Sequence, residues 1–129
     1  MSGFSTYLAQ KMVDVTLRAQ AWTPPATLYL ALFTADPTDD NVTANEVAGA
    51  WYTRQATGSW SAANPTTNNN QIQFSAVSGG GVTISHWGIY DAVSGGNLLY
   101  SDGLTGGLRS LNVGDIFTVA ATQLSVTLA

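Results

Sequence analysis

The chain has no cysteine, a single histidine and few charges: only 9% of its 129 residues are charged. Without cysteine, neither disulfides nor thiolate metal sites can contribute to its stability. Most catalytic sites are built from histidine, cysteine or clustered charges, and this chain is poor in all three. We therefore expect a structural or docking protein rather than an enzyme, with no cofactor.

Positive charge is scarce as well. The chain has a net charge of −4, and its four cations, Lys11, Arg18, Arg54 and Arg109, are scattered along it. Nucleic-acid affinity depends on clustered Lys and Arg that neutralise phosphates, so we expect no nucleic-acid partner. The N-terminal segment lacks a signal-peptide pattern, and no apolar run approaches the roughly 18 residues of a membrane span. We expect no contact with a membrane, and we expect the protein to be made and kept in the cytoplasm unless an assembly carries it out.

One amphipathic helix is predicted at Ser5–Gln20, within an N-terminal segment 1–22. Its apolar residues recur at spacings of three and four, which places on one face Phe4, Leu8, Met12 and Val15. Ser2 or Ser5 is expected to cap the helix, and Pro24 follows its end. A helix this short is marginal alone. Its apolar face should dock on its own domain or, alternatively, on a neighbouring subunit.

Residues 26–129 are rich in β-branched and aromatic residues divided by Gly, Asn, Asp and Pro. This pattern predicts an all-β, single-domain antiparallel β-sandwich, jelly-roll-like, that forms one domain (1–129) with the helix. The predicted strands are Thr27–Thr34, Trp51–Gln55, Gln71–Val77, Val82–Tyr90, Asn97–Ser101, Leu108–Leu111, Ile116–Ala120 and Leu124–Leu128.

Three of these predictions are specific. Thr27–Thr34 is apolar on both faces, so the strand should be covered on both sides. Gln71–Val77 alternates, which predicts that Ile72, Phe74 and Ala76 share a buried face. Val82–Tyr90 and Asn97–Ser101 should form an antiparallel hairpin. The polar stretch 62–70 is expected to be a loop.

Few residues are candidates for chemistry. His86 is the one histidine of the chain, but without a nucleophile or second ligand it is expected to be a structural histidine whose ring nitrogens bond to neighbouring backbone. Asp36, Asp39 and Asp40 crowd one turn and offer oxygen ligands that suit Ca²⁺. Their spacing does not fit an EF-hand, and Asp also caps turns through its own backbone. Whether this turn binds an ion stays open.

Tryptophan is the main ambiguity, because the same residue type fills cores and anchors interfaces. Trp87 lies on the longest predicted strand and is expected in the core. Trp51 and Trp60 flank predicted loops, where core and interface roles are equally supported by the sequence.

Several short motifs occur in a distinctive order over nearly the whole chain. They are Thr23–Pro37, Glu46-Val47 with Tyr52-Thr53-Arg54, an Asn-rich loop before Ile72, His86–Ala92, Gly95–Tyr100 and a Val113-Gly114-Asp115 turn. This order resembles small virion proteins of tailed bacteriophages, which are often described as tail fibre-like, minor tail or head decoration proteins. The loop Ala48–Trp51 departs from the Gly-Gly-Ser that relatives tend to have there.

The resemblance implies a virion structural protein that works by shape and repeated contacts. The leading hypothesis is a capsid decoration (cement) protein that binds the major capsid protein or other virion proteins and forms homo-oligomers in the particle. The alternatives are a tail, neck or fibre component that binds receptors or glycans, and an unrelated sugar-binding or hydrolytic module. The candidate interface residues are Phe4, Leu8, Met12, Val15, Trp51 and Trp60.

Overall fold

The fold consists of short strands and one helix. The computed structural model describes residues 3–127, and the elements in chain order are β1 (Gly3–Phe4), α1 (Thr6–Leu17), β2 (Tyr29–Phe33), β3 (Gln55–Ala56), β4 (Thr66–Thr67), β5 (Ile72–Gln73), β6 (Val82–Ile84), β7 (His86–Tyr90), β8 (Leu98–Gly103), β9 (Arg109–Leu111), β10 (Thr118–Val119) and β11 (Ser125–Val126). These strands pair antiparallel. The predicted all-β, sandwich-like fold with one helix is confirmed, and the finer jelly-roll assignment stays a prediction.

The strands form one five-stranded sheet and three two-stranded ribbons. The large sheet has the order β1-β8-β7-β2-β3, and the ribbons pair β5 with β10, β4 with β11, and β6 with β9. The main core contains buried side chains from one face of the large sheet and from all three ribbons, including Leu30, Leu32, Ile72, Ile84, Trp87, Ile89, Leu111 and Val126. The ribbons therefore cover that face of the sheet.

Strand β2 is buried on both sides, as its sequence predicts. Leu30 and Leu32 belong to the main core, whereas Ala31 and Phe33 belong to a second cluster with Tyr90 and Leu98. Successive residues of a strand point to opposite faces. Two hydrophobic clusters on the two sides of the sheet thus explain why the segment is continuously apolar.

The predicted hairpin is present as β7 paired with β8, and it depends on a glycine. A Cβ atom on Gly88 would lie 2.9 Å from Leu98 Cδ1 and 3.1 Å from Phe33 Cε1. Real Cβ atoms essentially never approach a neighbour as closely as the first distance. Glycine at this position lets the second cluster close against the sheet.

The predicted strand Val82–Tyr90 is wrong as a single element. The chain breaks at Ser85, where β6 ends and β7 begins, and the two parts pair with different strands: β6 with β9, and β7 with β2 and β8. Ile84 and Trp87 are three residues apart, yet both lie in the main core. A strict period of two cannot place both on one face, so the change of pairing partner overrides the local alternation.

Two further segments differ from the prediction. The strand expected at Trp51–Gln55 is instead a turn and loop leading to β3, and the expected loop 62–70 contains β4. Both strands are two residues long and are defined by their partners, β2 for β3 and β11 for β4. Such short pairings arise from long-range contacts and have no pattern of their own in the sequence.

The alternating segment 71–77 is only partly regular. Its ladder is limited to β5, although Ile72 and Phe74 are buried as expected. Ala76 is exposed and Val77 is buried in its place, because the chain leaves the strand geometry after Phe74. At the C-terminus, Leu124 and Val126 are buried as predicted, and Leu128 lies outside the described residues.

The helix is shorter than the segment predicted for it. It begins at Thr6, after the cap Ser5, and ends at Leu17. Ala19 takes a left-handed φ of 53° just beyond it, and the Gln20 N–H bonds the Asp14 carbonyl oxygen at 2.9 Å. The helix therefore ends before the prolines. Of the two predicted caps, Ser5 accepts from Leu8 N at 3.0 Å, and Ser2 lies outside the described residues.

Candidate interaction surface

The first turn of α1 is fixed to the sheet. The Ser5 N–H bonds the Leu99 carbonyl oxygen at 2.9 Å, and the Thr6 N–H bonds the Asp39 carbonyl oxygen at 2.8 Å. Leu8 is 3% exposed and is the one buried residue of the helix. The helix therefore docks on its own domain, as predicted, but through its first turn.

Beyond Leu8 the helix is exposed and still apolar. Met12, Val13, Val15 and Leu17 are 37%, 42%, 42% and 80% exposed. Asp14 Oδ1 accepts a hydrogen bond from Gln10 Nε2 at 3.0 Å and another from Arg18 Nη1 at 2.7 Å, and these bonds hold the pKa of Asp14 below its ordinary value. These contacts of Asp14 therefore stabilise the helix internally, and the four apolar side chains are exposed to solvent. Met12 and Val15 are three residues apart and lie on one side of the helix, whereas Val13 and Leu17 lie on another side. We call Met12 and Val15 the exposed helix face.

The six candidate interface residues lie in different environments. Phe4 lies in the edge strand β1 rather than in the helix, and the centre of its ring is 5.6 Å from the centre of the Tyr100 ring. Leu8 is buried and Trp51 is 7% exposed within the main core, so neither presents a large surface. Trp60 is half-buried at the edge of that core. Met12 and Val15 are exposed, and contact of any of these residues with another protein stays a prediction.

A buried ion pair holds the loops at one end of the sheet. Glu46 lies opposite Phe33 in an isolated bridge, and Arg54 directly precedes β3, so both flank strand β2. Arg54 Nε donates to Glu46 Oε2 at 2.7 Å and Nη2 donates to Oε1 at 2.8 Å. The Tyr52 hydroxyl also donates to Oε2, at 2.6 Å. This two-pronged geometry is the strongest that arginine makes with a carboxylate.

Arg54 also binds the turn between β7 and β8. Its Nη1 donates to the carbonyl oxygens of Ala92 and Gly95 at 3.1 Å and 2.7 Å. The guanidinium carbon lies 3.7 Å from the centre of the Tyr90 ring, a cation–π geometry. One side chain thus ties three separate segments together. We call Glu46, Tyr52, Arg54 and Tyr90 the arginine cluster.

The electrostatics of the arginine cluster follow from burial opposed by pairing. Burial alone would raise the pKa of Glu46, but the bonds from Arg54 and Tyr52 outweigh it and hold that pKa below its ordinary value. Burial would lower the pKa of Arg54, and Glu46 raises it instead. Burial raises the pKa of Tyr52, and it raises the pKa of Tyr90 to about 12. The cluster is therefore charged only at the ion pair near neutral pH.

The arginine cluster is not evident from the sequence alone. Arg54 and Glu46 were noted only as parts of a motif, and no pairing was expected. A usable signal is present: the chain has only four Lys and Arg, and Arg54 lies inside the predicted strand Trp51–Gln55, close to Trp51 and Tyr52. In a chain so poor in charge, a cation inside an apolar segment indicates a buried partner.

The remaining chemical candidates have local structural partners. The Ser85 hydroxyl lies 2.7 Å from His86 Nδ1, so this ring nitrogen has a side-chain partner. Asp36 Oδ1 accepts from the Thr38 N–H at 2.8 Å, and Asp40 Oδ1 accepts from the Thr6 hydroxyl at 2.9 Å. Within residues 3–127, no three His, Cys, Asp or Glu side chains group closely enough to hold a metal ion.

The same part of the chain contains no helix whose length and apolarity would suit it to crossing a membrane.

The chain matches a known protein family over almost its full length. The family is described as Podophage GP4 fiber I protein gp80, and the match covers residues 3–127. The chain belongs to this family. It is a bacteriophage virion structural protein of fibre-like type, which confirms the resemblance seen in the order of its motifs. No curated protein matches the chain.

Proposed function

We propose that this chain is a non-enzymatic building block of a phage fibre that packs against other virion proteins through the exposed helix face. The family description names a fibre protein. That description supports the fibre alternative over the capsid decoration role, which was the leading hypothesis from sequence. The partners are other virion chains, including further copies of this one, rather than nucleic acid or membrane.

The single observation that carries the proposal is the contrast along α1. A helix of 12 residues is only about 18 Å long and is marginal without tertiary packing. Here the first turn is fixed to the rest of the domain, and four apolar side chains beyond it are exposed to solvent. Covering a large apolar side chain contributes roughly 1.5–3 kcal/mol relative to leaving it exposed. A neighbouring chain that covers this face stabilises both the contact and the helix.

Composition supports the same role. Charge on a free protein keeps it soluble, whereas a surface that is covered by neighbours needs little of it. Only 9% of the residues are charged, and the chain has one histidine and no cysteine for chemistry. We include in the proposal that the chain has no catalytic turnover.

Capsid decoration is the second candidate, because a charge-poor surface also fits a subunit wedged between capsid proteins. The two roles differ in copy number. A decoration protein occupies every equivalent site of the capsid lattice, which gives hundreds of copies in each particle. A fibre contributes a few to a few dozen copies. Quantitative mass spectrometry of purified particles, with the portal protein as internal standard, separates these roles.

The proposed contact is tested with the double variant Met12→Ser, Val15→Ser. We expect the isolated chain to keep its circular dichroism spectrum, since both side chains are exposed. Particles complemented with this variant should contain at least tenfold fewer copies of the chain. The matched control is Ala9→Ser, Thr16→Ser, which changes exposed residues of the same helix without shortening a large apolar side chain. Incorporation of both variants at the wild-type level would refute the helix contact.

A further inference from the structure

A small apolar cavity lies between the large sheet and the segment that leads from Trp60 into β4. Its volume is about 140 Å³. Its walls are almost entirely carbon and come from Leu28, Trp60, Ile89, Tyr100 and Val126. Ala63 and Asn64 line it as well, and both are exposed, so the cavity opens to solvent on their side.

The cavity is held open by the position of Trp60. The indole Nε1–H donates to Thr57 Oγ1 at 3.1 Å, and Thr57 is 1% exposed. The backbone of Trp60 also forms a bridge with Asn68, which is fully buried. Collapse of the indole into the cavity would break the bond to Thr57. The cavity is therefore formed before any ligand arrives, as is usual for small-ligand sites.

The lining selects for an uncharged, apolar group. An engineered apolar cavity of about 150 Å³, enclosed within another protein, binds benzene, and the cavity here has a similar volume and apolar lining but is open on one side. Burial raises the pKa of Tyr100, whose ring forms one wall, so this wall is neutral near pH 7. A sugar ring needs several directed hydrogen bonds, which carbon walls do not offer. Trp60 therefore suits an apolar group better than a glycan.

We propose that the cavity beside Trp60 is a binding site for one uncharged apolar group of about the size of benzene. Two sources offer this chemistry: a large apolar side chain from a neighbouring virion chain, or a free apolar small molecule. Binding by the isolated chain does not depend on the proposed fibre role, so the two proposals fail separately.

The first experiment titrates benzene and indole into the isolated, isotope-labelled chain. We expect saturable shifts of the Trp60 indole resonance in the millimolar range or tighter, and none with glucose. Ala63→Phe should weaken benzene binding at least tenfold, because the new ring fills the mouth from an exposed position. Ala62→Phe is the matched control: it is the adjacent exposed alanine, does not line the cavity, and should bind benzene as the wild type does.

Absence of benzene and indole binding would overturn the proposal, as would equal effects of Ala63→Phe and Ala62→Phe. A second experiment identifies the source in assembled particles. If a neighbouring chain fills the cavity, Ala63→Phe but not Ala62→Phe lowers the copy number of the chain in the virion. If a small molecule fills it, solvent extraction of wild-type particles yields an apolar compound that Ala63→Phe particles lack. If the particles show neither of these two results, the proposal is overturned even if the isolated chain binds benzene.

Discussion

Arg54→Ala is the most informative single substitution in the arginine cluster. The wild-type side chain is 4% exposed and makes two bonds to Glu46, two to loop carbonyls and one stacking contact with Tyr90. Truncation removes all five contacts at once. It leaves the Glu46 carboxylate, which is 17% exposed, without its main partner.

The magnitude follows from this geometry. Breaking a buried ion pair by removing one partner costs about 3–5 kcal/mol, because the remaining charge stays desolvated. Glu46 retains the Tyr52 hydroxyl and some access to water, which places the loss in the lower half of that range. We expect the free energy of unfolding to fall by about 3–4 kcal/mol, which corresponds to a fall of roughly 11–15 °C in Tm for a chain of this size. Arg54→Lys should cost about 1–2 kcal/mol, since lysine lacks the planar fork.

The assay is urea unfolding followed by tryptophan fluorescence, with Arg109→Ala as the control cation. Arg109 is exposed and lies 5.9 Å from the Phe117 ring, so its removal should change stability by less than about 0.5 kcal/mol. A double-mutant cycle with Glu46→Ala should show a coupling of about 1–3 kcal/mol. A loss below about 1 kcal/mol for Arg54→Ala, or no coupling to Glu46, would refute the view that this pair holds the loops.

Other substitutions test separate parts of the structure. The pKa of Glu46 is held below its ordinary value of 4.5, so its charge stabilises the fold above that pH and the contribution disappears as pH falls through the lowered pKa. In urea unfolding, the free energy of unfolding should therefore fall less between about pH 6 and about pH 3 for Glu46→Gln than for the wild type. In thermal unfolding, Leu8→Ala should lower the free energy of unfolding by about 2–4 kcal/mol and Leu17→Ala by less than about 0.5 kcal/mol. Similar losses for the two variants would contradict the anchoring of the helix through Leu8. Gly88→Ala should cost about 1–3 kcal/mol in the same assay through overpacking, and a neutral result would contradict the tight contact with the second cluster.

The parts of the fold that the sequence predicted are those with strong local patterns. Each of these predictions depends on a local pattern of five or more residues: the continuous apolar run of β2, the segments of the β7–β8 hairpin and the helical spacing of α1. Strands of two residues, such as β3 and β4, do not carry a period. Their position depends on which distant strand pairs with them, and a single sequence does not encode that pairing locally.

The break at Ser85 shows the same limit more sharply. Val82–Tyr90 alternates convincingly as one strand, but the Ser85 N–H bonds the Phe33 carbonyl oxygen and the Ser85 carbonyl oxygen accepts from Leu104 N, both at 2.9 Å. The residue thus sits where the chain exchanges one pairing partner for two others. Only knowledge of the partners would have divided the strand.

The candidate surface was predicted in part. Met12 and Val15 were identified from helical spacing and are exposed, whereas Leu8 on the same stripe is buried. Periodicity finds the apolar face of a helix, but it does not tell how far along the helix the domain covers that face. Trp51 illustrates the converse, since its position beside a loop suggested exposure and the fold closed over it.

The way α1 is held bears on how the chain associates. Ordering a flexible segment on binding reduces affinity, and a contact that is already rigid avoids this cost. The Ser5 and Thr6 N–H groups and the Leu8 side chain fix the direction of the helix before any partner binds. A neighbour that covers Met12 and Val15 therefore orders few additional side chains, and most of the apolar surface that it buries contributes to association. In the fibre that we propose, each copy would present this face in the same orientation, so that a modest contact would become strong when it recurs along the particle.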